Sequence, residues 1–366
     1  MYATILLSSL AAAASLRAPP TYTNPTSPGR DTPDPGVAFD NATGLWWAST
    51  TTGGAPCFSL SSSHNLADWV PAGHMFDTPP AWADPANPSC WAPELHQVNG
   101  SWVAYFVARS KRSGLLSLGV ATSQMGPGGP WTDSGAPLVE DSGAGAQGQI
   151  DATLARGPNG ALFLVFKEDG NADGLPTPIH MARLTDNGTA LRSGAAPWKG
   201  TQLIRDSLPW EHGITEAPWV VAQGGFYYLF YSGSGYTNEY AVGVARAQSL
   251  GGPYEKRAWR CPRQVPRLCA PLFLPPHPPS PPPYPAVGEP ILRQDSSGAG
   301  APPFESPGHC SVVQAADGKW AMVYHAWVGN DRSARHMMLD EVVWGADGWP
   351  RLATGGYPST TAQPVP

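Results

Sequence analysis

The stretch Gly225-Phe-Tyr-Tyr-Leu-Phe-Tyr, a turn glycine followed by a run of aromatic and aliphatic residues, decides the fold because similar stretches recur along the chain. The other four are Gly44-Leu-Trp-Trp-Ala-Ser-Thr, Gly100-Ser-Trp-Val-Ala-Tyr-Phe, Gly160-Ala-Leu-Phe-Leu-Val-Phe and Gly318-Lys-Trp-Ala-Met-Val-Tyr. In chain order the five glycines are 56, 60, 65 and 93 residues apart. Each repeat therefore holds enough chain for a sheet of about four antiparallel strands. Five such sheets around one axis make a propeller, so the sequence predicts an all-β, five-bladed β-propeller.

The composition agrees with many short strands. Charged residues make up only 14% of the 366 residues, whereas 41 glycines and 42 prolines suit tight turns between strands. The net charge is −6 and no basic cluster is present, which argues against a nucleic-acid partner or an anionic membrane surface. The five apolar runs are also too short for membrane helices. We expect a monomer with neither a nucleic-acid nor a membrane partner.

Two segments fall outside the repeats. Residues 1–18 are an apolar stretch that ends in small residues and resembles a secretory signal peptide, which predicts a secreted protein. Because the stretch lacks a basic region at its start, a disordered or packed arm is the alternative. The proline-rich segment at about 261–290 has no strand pattern, since proline removes backbone donors and fixes an extended conformation. We therefore expect residues 19–366 to form a single propeller domain with a surface insertion at this segment.

The five cysteines cannot all pair within one chain. Cys57 and Cys90 could link the first two blades. Cys261 and Cys269 are close enough to staple a loop, whereas Cys310 is expected to stay free. Five reduced, buried thiols are the alternative, because spacing alone does not establish connectivity.

The position nine or ten residues before each repeat glycine holds an ionisable or aromatic residue. The five residues at this phase are Asp34, Trp91, Asp151, Glu216 and His309. Four are ionisable and the fifth is a large aromatic. Because the innermost strands of a propeller line its central channel, these side chains should converge at the channel mouth and form one carbohydrate-sized site.

Three carboxylates in one pocket are electrostatically costly, since like charges raise one another's pKa. Glycoside hydrolysis can explain that cost, because it needs one protonated carboxylic acid and one ionised carboxylate. A third carboxylate can tune and orient the acid. Taken singly, an Asp before Pro is usually a turn residue and an isolated Glu is usually solvated. The common phase of Asp34, Asp151 and Glu216 favours a shared function.

Six motifs, taken together and in this order, closely resemble those of glycoside hydrolase family 43. They are Pro33-Asp34-Pro35, Trp91-Ala-Pro-Glu-Leu-His, Ile150-Asp151-Ala, Thr215-Glu216-Ala-Pro-Trp, Gly308-His309-Cys-Ser-Val-Val and Tyr324-His-Ala-Trp. The similarity covers about residues 30–352 and includes a terminal Arg335-His-Met-Met-Leu-Asp-Glu-Val-Val-Trp. The family consists of five-bladed enzymes that act on arabinans and xylans with inversion. By this resemblance Asp34 is the general base, Asp151 modulates the pKa and orientation of the acid, and Glu216 is the general acid.

The resemblance also implies a set of substrate-binding residues. Arg335 matches the arginine that contacts the sugar in the terminal site, although neutralising the carboxylates is an alternative role for it. Trp91 is expected to stack on a sugar, with packing between blades as the alternative. His309 matches the channel histidine that in some members helps to hold a hydrated cation. The resemblance implies that no cofactor is required. A structural calcium or other cation in the channel is an option, but the cysteine at position 310, Cys310, argues against an ion at His309.

Three motifs depart from the family pattern. Asp-Pro is Asp151-Ala here, Glu-Gly-Pro is Glu216-Ala-Pro, and the residue after His309 is cysteine instead of glycine or asparagine. All the carboxylates survive these changes. Alanine for proline or glycine alters loop stiffness and not chemistry, provided that the backbone angles suit a side chain.

Two other functions compete with this interpretation. A retaining, fructan-acting propeller enzyme would carry an Asn-Asp-Pro-Asn-Gly motif with Arg-Asp-Pro and Glu-Cys downstream, and the chain has none of these. A carbohydrate-binding propeller without catalysis gains nothing from three mutually repelling acids. The sequence favours an inverting glycoside hydrolase that cleaves arabinofuranosyl or xylosyl linkages of plant-type or algal polysaccharides. It leaves open which of the two sugars is cleaved, and whether the action is endo or exo.

Overall fold

A computed structural model describes residues 20–140, 147–192, 200–259, 287–297 and 303–366. After the short strand β1 (Thr21–Tyr22), the chain forms five antiparallel four-stranded sheets, each from consecutive strands. Blade one contains β2 (Gly36–Asp40), β3 (Leu45–Thr50), β4 (Cys57–Ser63) and β5 (Val70–Phe76). Blade two contains β6 (Trp91–Val98), β7 (Ser101–Arg109), β8 (Leu116–Ser123) and β9 (Thr132–Asp133). Blade three contains β10 (Gln149–Arg156), β11 (Leu162–Glu168), β12 (Ile179–Arg183) and β13 (Thr201–Ile204).

Blades four and five follow the same order. Blade four contains β14 (Thr215–Gln223), β15 (Phe226–Gly233), β16 (Ala241–Ala247) and β17 (Glu255–Lys256). A two-stranded sheet of β18 (Ala258–Trp259) and β19 (Val287–Gly288) lies between the two blades in the chain. Blade five contains β20 (Phe304–Gln314), β21 (Trp320–Val328), β22 (Asp331–Trp344) and β23 (Pro350–Leu352), and the last strand is β24 (Gln363–Pro364).

The first strands of the blades form the inner ring. Strand β2 contacts β6, β6 contacts β10, β10 contacts β14, β14 contacts β20, and β20 returns to β2. The predicted all-β, five-bladed β-propeller is therefore confirmed. The apolar runs that predicted it are the second strands, which pair with the inner ring. Each of their five opening glycines has a φ between 70° and 85°, a left-handed turn that explains why glycine recurs at this position.

The core is divided among the blade interfaces. Five apolar clusters lie between blades one and two, two and three, three and four, four and five, and five and one. Phe166 of β11 and Tyr231 of β15, for example, are almost fully buried in two of these clusters. Because each blade is covered on both faces, its second strand is nearly continuous in apolar character.

The ring is closed by residues 21–32, which run beside β22 and are called the closing seam below. Strand β1 of the seam pairs with β24. The Tyr22 hydroxyl donates to the carbonyl oxygen of Leu339 at 2.8 Å. The backbone N–H of Thr32 donates to the carbonyl oxygen of Arg335, also at 2.8 Å. The two ends of the described chain thus hold blade five against blade one.

A disulfide joins Cys57 on β4 to Cys90, immediately before β6, and so links the first two blades as the sequence predicted. The alternative of five reduced thiols is therefore wrong. Cys310 is buried and free, which also agrees with the prediction. The suggested pairing of Cys261 with Cys269 lies outside the described residues.

Two further predictions fall largely outside the described ranges. They are the signal peptide or arm at residues 1–18 and positions 261–286 of the proline-rich segment. Within the described ranges, the only helices are three single turns, at Pro158–Gly160, Asn171–Asp173 and Pro209–Glu211. None of them is long and apolar enough to span a membrane.

Candidate active site

The five predicted channel residues occupy equivalent places in the inner ring. Asp34 lies just before β2, and the other four lie on β6, β10, β14 and β20. In each of these four strands the pairing with the second strand shifts register near the predicted residue. A bulge of this kind bends a strand and re-aims its side chains. The common phase found in the sequence therefore corresponds to a common backbone feature in blades two to five.

Left-handed backbone angles occur at or beside these channel residues, at positions other than glycine. The φ values are 54° at Asp34, 58° at Asp151 and 50° at His309. In blade four the left-handed residue is Ala217, with a φ of 50°, directly after Glu216. This angle favours glycine, so the alanine that replaces the family's glycine is strained by about 1–2 kcal/mol. The sequence-based expectation that alanine would alter only loop stiffness is incomplete at this position.

Asp34 is almost buried, and three nitrogen atoms and one hydroxyl lie close to its carboxylate. Its Oδ1 lies 2.9 Å from Nη1 of Arg335, 3.2 Å from Nδ1 of His325 and 3.4 Å from Nδ1 of His309. Its Oδ2 accepts a hydrogen bond from the Thr51 hydroxyl at 2.7 Å. Burial alone would raise the pKa of Asp34, but the charge of Arg335, followed by that of His309, holds it well below its usual range. Asp34 is therefore an ionised carboxylate.

His325 supports Asp34 as a neutral imidazole. Its Nδ1 accepts the backbone N–H of Asp34 at 3.1 Å, which requires that nitrogen to be unprotonated. Burial and, after it, the charge of Arg335 lower the pKa of His325 to about 4, although Asp34 opposes the shift. The ring also stacks on Tyr240 with a centroid distance of 5.8 Å.

Asp151 and Glu216 are buried neighbours with unlike ionisation. Oδ2 of Asp151 accepts the backbone N–H of Ala217 at 2.9 Å. Burial, together with the Glu216 charge, raises the pKa of Asp151 to about 7, although His309 and Lys167 oppose the shift. Burial would also raise the pKa of Glu216, but the Lys167 ammonium holds it below its usual range. The one proton that this pair keeps near neutral pH therefore lies mainly on Asp151.

Glu216 is held by a cluster of donors that sequence reasoning missed. Its Oε2 accepts hydrogen bonds from Nζ of Lys167 at 2.7 Å and Nδ2 of Asn171 at 3.3 Å. The hydroxyl of Tyr240 donates to the same carboxylate. Tyr240 can approach because of Gly308, where an added Cβ would lie 2.1 Å from the tyrosine ring. The glycine of the Gly308-His309 motif thus makes room for a ring that contacts Glu216.

A second periodicity would have found several of these residues. The residues seven positions after the five repeat glycines are Thr51, Val107, Lys167, Ser232 and His325, which we call the supporting ring. Four are polar, and the apolar one faces Trp91, the channel residue that cannot ionise. Each polar member contacts a residue of the next blade. The contacts are Thr51 with Ala92 N, Lys167 with Glu216 Oε2, Ser232 with His309 N, and His325 with the Asp34 carboxylate. The supporting ring therefore joins neighbouring blades at the level of the channel carboxylates.

The two remaining predicted substrate-binding residues differ in their surroundings. Trp91 is half-buried and packs on the apolar cluster between blades two and three, which is the packing role considered for it. Arg335 pairs with Asp34 and lies 4.8 Å from the ring centroid of Tyr236, a half-exposed aromatic. The neutralising role of Arg335 is therefore present, and contact of either residue with a sugar stays a prediction.

The residues around His309 do not by themselves form a cation site. Its Nδ1 faces Asp34, and Cys310 is directed into the apolar cluster between blades four and five. The described part of the chain contains no group of three or more His, Cys, Asp or Glu side chains that could hold a metal ion. A hydrated cation on His309 alone stays a prediction, and no chemical step below depends on one.

Comparisons with known proteins identify the family of the chain. The sequence profile of Glycosyl hydrolases family 43 matches residues 22–262 and 279–350. An extracellular endo-α-(1→5)-L-arabinanase 1 of Bacillus subtilis (strain 168) is 23% identical over 79% of this chain and 77% of its own length. An extracellular exo-α-(1→5)-L-arabinofuranosidase ArbA of Cellvibrio japonicus (strain Ueda107) is 23% identical over 84% of this chain and 82% of its own length.

The crystal structure of a thermostable family-43 glycoside hydrolase has the same fold. It superimposes with a TM-score of 0.73 at 24% sequence identity, covering 94% of this chain and 99% of that one. The comparisons favour neither the fructan-type enzyme nor the binding protein without catalysis. Because the family profile matches most of the chain, the protein belongs to glycoside hydrolase family 43 and is a hydrolase of O-glycosyl bonds.

Proposed function

We propose that this enzyme cleaves arabinofuranosyl or xylosyl linkages of plant-type or algal polysaccharides by single displacement with inversion. Asp34 is the general base, Glu216 the general acid, and Asp151 the residue that modulates the acid. The observation that carries the proposal is the unequal surroundings of three buried carboxyl groups. Asp34 contacts Arg335, Glu216 contacts Lys167, and Asp151, within the described part of the chain, accepts only the backbone N–H of Ala217. Asp34 is held ionised, whereas Asp151 and Glu216 keep one proton between them up to about pH 7.

The reaction follows from these protonation states. A water molecule attacks the anomeric carbon and gives one proton to the Asp34 carboxylate. The bond between that carbon and the glycosidic oxygen breaks, and its electron pair goes to the oxygen. The oxygen takes the proton from Oε1 of Glu216, because Oε2 is engaged by Lys167 and Asn171. The reactive form is thus the one in which the shared proton lies on Glu216.

Other residues position the base and the substrate. Thr51 and Arg335 fix the two oxygens of Asp34, so that the base is ionised before the water arrives. Arg335 and Trp91 contact the sugar, and His309 lies beside the base, with its Nδ1 3.4 Å from Oδ1 of Asp34.

The names of the relatives support arabinan as the first substrate to test, since two of them are an arabinanase and an arabinofuranosidase. Both are also named extracellular, which supports secretion of this protein. We propose that it acts as a monomer on a dissolved or solid polysaccharide. Nucleic acids and membranes are not partners in this proposal.

A panel of four substrates tests the function. We expect hydrolysis of an aryl arabinofuranoside or an aryl xyloside, and of the matching polymer, linear arabinan or xylan. The Glu216→Gln variant serves as the matched control, because it keeps the shape of the site and removes the acid. If the folded wild-type protein hydrolyses none of the four, the proposed substrate class is wrong.

A further inference from the structure

Lys167 is a buried cation in a strand that otherwise reads as apolar. It lies near the end of β11, directly after the run Leu162-Phe-Leu-Val-Phe, and its side chain is fully buried. Burying an ammonium group costs several kcal/mol unless its N–H groups find good partners. All three are used here, by Glu216 Oε2 at 2.7 Å, Asn171 Oδ1 at 2.9 Å and Asp169 Oδ1 at 3.1 Å. The position therefore fixes both the charge and the direction of the side chain.

The location of Lys167 in the fold separates it from an ordinary structural ion pair. Lys167 pairs in the sheet with Ile150, the neighbour of Asp151, yet its ammonium reaches into the next blade and contacts Glu216. It therefore bridges the two strands that carry the two coupled carboxyl groups. Its distance to Glu216 is that of a direct hydrogen bond, whereas it acts on Asp151 through its charge alone.

Several titratable groups surround Lys167 and the two carboxyl groups, and their effects on the pKa values differ in sign. The groups that act on Glu216, Lys167 or Asp151 are Asp34, Asp169, Tyr240 and His309. The negative charges favour protonation of the pair, and His309 opposes protonation of Asp151. Among these groups Lys167 alone is a cation bonded directly to Glu216. Its removal should therefore change the proton distribution more than the removal of any other neighbour.

We propose that Lys167 is a positioning residue for proton transfer: it holds Oε2 of Glu216, turns Oε1 toward the leaving group, and sets how the shared proton divides between Asp151 and Glu216. This inference rests on the proposed role of Glu216 as general acid. With the ammonium in place, the free enzyme keeps Glu216 ionised and Asp151 protonated. Without it, both carboxyl groups bind protons more tightly, because a positive charge no longer opposes their protonation.

The test is the pH dependence of kcat/KM for the Lys167→Met variant on an aryl glycoside with a poor leaving group, whose cleavage needs the acid. Methionine keeps much of the side-chain length and removes the charge. We expect the alkaline limb of the profile to move upward by about 1–3 pH units, since an adjacent opposite charge shifts a carboxyl pKa by this amount. We also expect kcat to fall more for a poor leaving group than for a good one, because only the poor one needs a well-placed acid.

Two comparisons keep the result specific. Lys256→Met is the matched control, because it removes the ammonium group beside the buried Glu211, at 2.5 Å, outside the channel. That variant should leave the pH profile unchanged, whatever it does to the melting temperature. Asp169→Asn removes a negative charge beside Lys167 and should move the alkaline limb in the opposite direction, downward. It also provides a readout if Lys167→Met does not fold.

The outcomes separate this inference from the proposed function. If the wild-type enzyme hydrolyses an aryl glycoside with a poor leaving group and Glu216→Gln does not, the acid is correctly assigned. An unchanged alkaline limb in folded Lys167→Met, or, if that variant does not fold, in Asp169→Asn, would then overturn the inference alone. If Glu216→Gln keeps full activity on a poor leaving group, the proposed function itself fails, and the role of Lys167 fails with it.

Discussion

Oδ1 of Asp34 lies 2.9 Å from Nη1 of Arg335, although 301 residues separate the two in the chain. The closing seam makes this contact, because Thr32 N donates to the carbonyl of Arg335 and Arg335 N donates to Oδ1 of Asp31, both at 2.8 Å. The proposed base and its cation are therefore held by the same segment that closes the ring. The contacts that close the propeller therefore also place Arg335 beside the carboxylate of Asp34.

Removal of this cation should shift the acid limb of the pH profile. Asp34 must be ionised to act, and Arg335 lowers its pKa. In Arg335→Met the pKa of Asp34 rises, so activity should be lost at a higher pH as the solution is acidified. Measurement of kcat/KM against pH checks this, and an accompanying rise in KM would indicate a sugar contact. Arg332→Met, which removes the neighbouring pair with Glu305, should leave the acid limb in place.

The proposed base predicts the stereochemistry of the product. Because water attacks from the side of Asp34, proton NMR of the first product formed should show the inverted anomer. Asp34→Asn should lower kcat by a factor on the order of 10² to 10⁴ with the fold intact. A retained anomer would show that Asp34 is not a base for water.

Asp151 should act on the acid and not on the sugar. In Asp151→Asn the like charge beside Glu216 and the group that carries the shared proton are both lost. Lys167 then holds Glu216 ionised to lower pH, so the alkaline limb should shift downward. The shift is opposite in sign to that expected for Lys167→Met. A profile identical to that of the wild type would reduce Asp151 to a structural residue.

The strained alanine beside Glu216 predicts a stabilising substitution. Ala217→Gly relieves a φ of 50°, a conformation that costs an L-residue about 1–2 kcal/mol. Glycine also gives back part of this gain through the greater entropy of its unfolded state. We expect a net stabilisation of up to about 1 kcal/mol in denaturant unfolding, with activity kept. Ala104→Gly, in the interior of β7, should instead destabilise the protein. A lower stability for Ala217→Gly would show that the angle is not strained.

The sequence was sufficient to predict the blades and the channel residues, because both recur at a fixed distance from the repeat glycines. Asp34, Asp151, Glu216 and His309 could be found by counting back from the repeat glycines, and the structure places each of them at a bulge or a left-handed residue. The agreement has a physical cause, since a turn of fixed length positions the same point of every inner strand.

The supporting residues could not be found in that way. Lys167 follows an apolar run and reads as the first exposed residue after a strand, yet it is fully buried. Its contact with Glu216 crosses from one blade to the next, and a count along one strand does not reveal which neighbour a long side chain reaches. Counting forward seven residues from each glycine would have placed Lys167 and His325 in one set.

The closing seam also determines when the enzyme becomes active during its own synthesis. Asp34 leaves the ribosome early, whereas His325 and Arg335 follow 291 and 301 residues later. A nascent chain that stops before β22 has a base without its cation and a closing seam without the strand beside which it runs. Hydrolysis should therefore begin in one late step, and the first burst of activity in a refolding experiment should report the moment at which blade five docks on blade one.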